Sequence, residues 1–113
     1  MDREQQEICR RFGATFTPLD ETCKVGISLS ALRGNLPLHG LRHEPEDGTT
    51  GWFLWAGDWS DDENFFRPLH AHHLSEDRPE VLPYLALPPG WRFLIAPGHE
   101  DVWRDDNLTT EPE

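Results

Sequence analysis

The sequence predicts a single small α+β domain built on a mainly antiparallel sheet. The chain has 113 residues, the size of one domain. Short runs that are rich in apolar and aromatic residues and bounded by turn residues, the mark of strands, recur at residues 23–29, 51–56 and 91–96. Most segments between the strands are short and rich in Gly, Pro and Asp, which favours hairpin connections between antiparallel neighbours.

Residues 1–13 read as an amphipathic helix, with Ile8, Cys9 and Phe12 among charged neighbours and Gly13 as its stop. A first strand covers 23–29, and 30–35 reads as a turn. Residues 37–44 follow as a strand pairing back on the first, with Pro37 at its beginning, where a missing N–H is tolerated. Turn chemistry fills 44–51, and the third strand, 51–56, carries Trp52, Phe53, Leu54 and Trp55. Leu74, Val81, Leu82 and Leu85 have helical spacing within 71–86, but Pro79 and Pro83 divide that stretch into two helical pieces. Residues 87–90 (LPPG) turn the chain into the clearest strand, 91–96, and Pro97 with Gly98 leads to a last strand at 100–104. Residues 107–113 form an acidic tail, and only 57–90 looks long enough for a crossover. Trp52, Val25, Ile27, Leu54, Phe93, Ile95, Leu82 and Leu85 are the expected core.

Ten Lys and Arg against 21 Asp and Glu leave a formal charge of −11, so no basic face exists to neutralise a nucleic-acid backbone. No apolar run approaches the ~18 residues of a membrane span. The polar first residues do not resemble a secretory signal, and the expected location is the cytoplasm. There Cys9 and Cys23 are read as reduced, small buried hydrophobes rather than a disulfide.

Nucleophile elbows, phosphate-binding glycine loops and zinc-protease motifs are absent, and no catalytic residue is assigned. Cys23 paired with a histidine is a formal nucleophile, but its place in an alternating strand marks it as a core residue. His70, His72 and His73, followed by Glu76 and Asp77, form the sharpest chemical cluster. Imidazoles suit zinc, copper or nickel, with Asp61, Asp62 or Glu63 as an added ligand. The plainer reading is histidines that face solvent or bond backbone, so no cofactor or metal is assigned. The five tryptophans raise a carbohydrate-binding alternative; Trp52 and Trp91 are explained by core packing, whereas Trp59 lies inside an acidic loop.

The acidic residues cluster. Glu44, Glu46 and Asp47 form one run, Asp58, Asp61, Asp62 and Glu63 a second, and Glu100, Asp101, Asp105, Asp106, Glu111 and Glu113 a third. Such loops either solvate the protein or present a negative surface to a basic partner. The second run alone combines dense negative charge with an aromatic anchor. Asp58, Trp59, Asp61, Asp62 and Glu63 are therefore the expected partner contact, unless Trp59 folds inward to cap the sheet.

The ordered segments VGIS at 25–28, PLHGLRHE at 37–44, GWFLWAG at 51–57, FFRPLHAHHL at 65–74, YLALPPGWRFLI at 84–95 and EDVWRD at 100–105 together resemble the immunity protein 33 family. The likeness spans residues 23–105, and Gly51 and Trp52 with Trp55 and Gly57, and the LPPG block, are its most specific parts. The resemblance implies a bacterial cytoplasmic antidote, an α+β domain without enzymatic activity that binds a toxin domain. It implies no catalytic residues.

Overall fold

A computed structural model describes residues 2–108. Its elements are α1 (Asp2–Phe12), β1 (Lys24–Ser28), α2 (Leu29–Leu32), β2 (Leu38–Arg42), β3 (Thr49–Ala56), β4 (Phe66–His70), α3 (Leu74–Asp77), β5 (Trp91–Ala96) and β6 (His99–Arg104). Short 3₁₀ helices cover Ala71–His73, Pro79–Tyr84 and Asp106–Leu108. The strands form one six-stranded sheet in the order β4-β1-β3-β2-β5-β6, antiparallel except where β1 lies parallel to β3. An α+β fold with a mainly antiparallel sheet and an N-terminal helix is thus what the chain adopts. Residues 109–113 of the expected tail lie outside the described residues.

Several expectations are corrected. β2 does not pair with β1; it pairs with β3 and β5. The turn expected at 30–35 begins as α2, whose first turn is capped by Ser28 Oγ accepting the Ala31 N–H at 3.2 Å. This helix carries the chain past the end of β3, where Ser30 Oγ donates to Ala56 O at 2.9 Å, so that β3 lies between β1 and β2. The crossover that makes a parallel pair therefore lies within 29–48, not in 57–90. The segment 57–90 contributes a strand that the sequence reading missed, β4, because Pro68 and Arg67 interrupt its apolar pattern. As the strand at one end of the sheet, β4 accommodates that proline. The helical stretch at 71–86 is present as short pieces, with Pro79 opening its second 3₁₀ turn.

All helices with core contacts pack on one face of the sheet. Ile8 and Cys9 of α1, Leu74, Val81, Tyr84 and Leu85 meet Val25, Ile27, Leu38, Trp52, Leu54, Phe93 and Ile95 there. Of the expected core only Leu82 remains partly exposed. Trp52 is 1% exposed, and its indole N–H donates to Leu85 O at 3.0 Å. A buried arginine ties the irregular segments to this frame. Arg42 is 3% exposed; its Nε donates to Thr50 O at 2.9 Å and its Nη1 to Thr17 O at 2.7 Å and Leu87 O at 2.9 Å. Its guanidinium also lies 5.9 Å from the Trp52 ring. One side chain thus fastens both the stretch after α1 and the LPPG block to β2. The family-like Gly51 has an equally local cause: its φ is +88°, and a Cβ there would stand 2.1 Å from His43 O.

Candidate functional site: an open aromatic face between acidic loops

Alternation along the strands sends a second set of side chains to the opposite face. Register aligns His39 with Trp55, Leu41 with Phe53 and Arg92 with Trp103, so these residues share that surface. No helix covers it among the described residues, and its apolar members stand apart from the core cluster. The face shields itself instead. Trp55 is only 4% exposed because His39 stacks on it at 4.9 Å, Trp59 meets it edge-on at 5.0 Å and Phe66 at 6.1 Å. Burial, together with the Arg92 charge, lowers the His39 pKa and favours the neutral ring in that stack.

Trp59 both caps the face and projects from it. Its ring contacts Trp55, Phe65 and Phe66, its indole N–H donates to Asp61 Oδ1 at 2.9 Å, and 52% of the residue stays exposed. The loop carrying it is braced internally: Asp62 N–H donates to Ser60 Oγ at 3.1 Å, Asn64 N–H to Asp62 Oδ1 at 2.8 Å and Phe65 N–H to Asp62 O at 2.9 Å. These short polar turns hold the carboxylates in a fixed loop outside the aromatic cluster.

Two shallow grooves meet on this face. One, of about 370 Å³, has Trp59, Asp61, Asp62 and Glu63 along its wall; the other, of about 380 Å³, has Glu44 and Glu46. They share a floor of His43, Phe53 and Phe66. The fold therefore brings two acidic runs, far apart in sequence, to one aromatic floor. Asp58 is exposed in the same loop but lines neither groove, and Lys24 and Arg67 border the second. The third acidic run is used differently. Glu100 is bound by Arg11 and Tyr84 on the core side, Asp101 by His99, and Asp105 by Arg92 at 3.1 Å.

His70, His72 and His73 lie together where β4 ends, with Asp61, Asp62 and Glu63 beyond its opposite end. The carboxylates do not join the histidines. Cys9 is buried and Cys23 half-buried, both as free thiols, and no hydrogen bond links Cys23 to a histidine among the described residues. The sequence reading missed Phe53, Phe66 and His43 as one floor. The available signal was that β3 is apolar on both faces, Trp52 and Leu54 on one and Phe53 and Trp55 on the other, although one face has no covering layer among the described residues.

A family model described as Imm33-like domain matches residues 4–105. No curated protein and no solved structure matches the chain.

Proposed function

The chain belongs to the Imm33-like domain family, and from that premise we propose that it is a non-enzymatic immunity protein that binds and neutralises a cognate toxin domain. The contact is the open sheet face, with Trp59 as anchor and Asp58, Asp61, Asp62 and Glu63 beside it. The observation that carries this reading is the convergence of two acidic loops on one uncovered aromatic floor. An apolar centre with a charged rim is the usual anatomy of a protein-binding surface. A formal charge of −11 selects a basic toxin as partner. Complementary charge drives association toward ~10⁸ M⁻¹s⁻¹ or above, which suits an antidote that must capture its target in the cytoplasm before the target acts.

The test is a rate measurement with the cognate toxin domain, at low and high salt. Neutralising Asp61, Asp62 and Glu63 to Asn, Asn and Gln removes three exposed carboxylates. Association should slow, and its salt dependence should flatten. Unchanged rates in a folded variant would remove this loop from the interface.

A further inference from the structure

We propose that His70, His72 and His73 form a binding site for a divalent transition metal ion, zinc being the probe of choice. The inference is independent of toxin binding. The backbone creates the site. His70 is the last residue of β4, and the 3₁₀ turn Ala71–His73 reverses the chain so that two further imidazoles return beside it. Ala71 N–H donates to Cys23 O at 2.9 Å and His72 N–H to Glu21 O at 3.1 Å, while the buried Ala71 and Leu74 pin the turn to the core. The turn is therefore anchored on both sides although the imidazoles reach solvent.

The ring centroids of His72 and His73 are 4.1 Å apart, those of His70 and His72 5.8 Å, and those of His70 and His73 6.4 Å. One donor nitrogen from each lies within 4.8 Å of the other two. Tetrahedral zinc with Zn–N bonds of ~2.0–2.1 Å needs donors about 3.3 Å apart. Closing that gap falls to the torsions of three side chains that reach solvent, not to the anchored turn. Among the described residues this is the only group of three such ligands that converges. An all-imidazole donor set selects zinc, copper or nickel over magnesium and calcium, which require oxygen. Three ligands leave a fourth position to water. Lys24, which stands opposite His70 in the sheet, is exposed, so its charge is screened by solvent. The strong net negative charge favours uptake of a cation.

The experiment is a calorimetric titration of the untagged, chelator-stripped full chain with zinc chloride. One equivalent should bind, magnesium should produce no saturable heat, and His72→Gln should weaken zinc binding by about tenfold or more. His99→Gln is the control and should bind like the wild type; His99 is an exposed histidine of β6, paired with Asp101 of the same strand. Circular dichroism establishes that each variant is folded, and zinc should shift the imidazole NMR signals of His70, His72 and His73 but not of His99. Absence of saturable zinc uptake by the wild type would overturn the proposal. So would wild-type affinity in folded His72→Gln, or an equal loss in His99→Gln.

Discussion

At the scale of single residues, Trp52 of β3 and Trp59 of the loop that follows it have opposite duties. Trp52 fills the core, is in ring contact with Phe93 at 5.5 Å and spends its only polar group on Leu85 O. Trp52→Ala leaves a large cavity and frees a buried carbonyl, so urea unfolding should show a loss of about 3–5 kcal/mol, a large share of a small domain's stability. Trp59 leaves half of its surface to solvent and takes its packing from Trp55, Phe65 and Phe66. Trp59→Ala should therefore cost less stability than Trp52→Ala. On the proposed interface, Trp59→Ala should also cost on the order of 2 kcal/mol of binding, about 30-fold, read mainly as faster dissociation of the toxin complex. Dissociation at the wild-type rate would show that the ring only caps the sheet.

At the scale of elements, the central strands are set by what each glycine admits. In β2, Gly40 lies beneath the Phe93 ring of β5, and a Cβ there would come 2.3 Å from Phe93 Cε2. The ring cannot retreat freely, because Trp52 and Tyr84 contact it as well. Gly40→Ala should cost about 1–3 kcal/mol by forcing Phe93 off its rotamer, seen as a lower unfolding midpoint and a changed near-ultraviolet dichroism. The loops at the opposite face are tolerant by contrast: their carboxylates are exposed and their turns are held by local bonds.

At the scale of the whole molecule, α1 is tied to the far sheet edge through Glu100. Arg11 donates to Glu100 Oε1 at 2.7 Å, and Tyr84 Oη donates to the other oxygen. The Tyr84 bond, followed by Arg11, lowers the Glu100 pKa. Burial, reinforced by Glu100, raises that of Tyr84. A carboxyl with a depressed folded pKa adds stability above its ordinary value of 4.5, and that stability is lost as pH falls through the folded value. A phenol with a raised pKa adds stability that is complete below its ordinary value of 10.0 and lost as pH rises through the folded value. Stability should therefore have an acid limb that Glu100→Gln flattens and an alkaline limb that Tyr84→Phe flattens, measured as unfolding midpoints across pH.

The sequence by itself determined the α+β class, five of the six strands, the terminal helix and most of the core, because alternation, glycine stops and proline breaks act within a few residues. It also located the acidic loops and the histidine cluster, as composition along the chain. What only the tertiary structure decided was which strands are neighbours. β3 inserts between β1 and β2 because α2 carries the chain across the end of the sheet, past Ala56 at the end of β3, and no local pattern encodes that detour. β4 stayed hidden because a strand at the sheet's end tolerates a proline that a central strand would reject. The site followed from the same long-range choice: strand order places Phe53 beside Phe66 and gathers the loops at 44–46 and 59–63 around them. Sequence distance cannot supply that proximity, since it is fixed by burial of the opposite face, where Trp52, Leu54 and Phe93 find their partners beneath the helices.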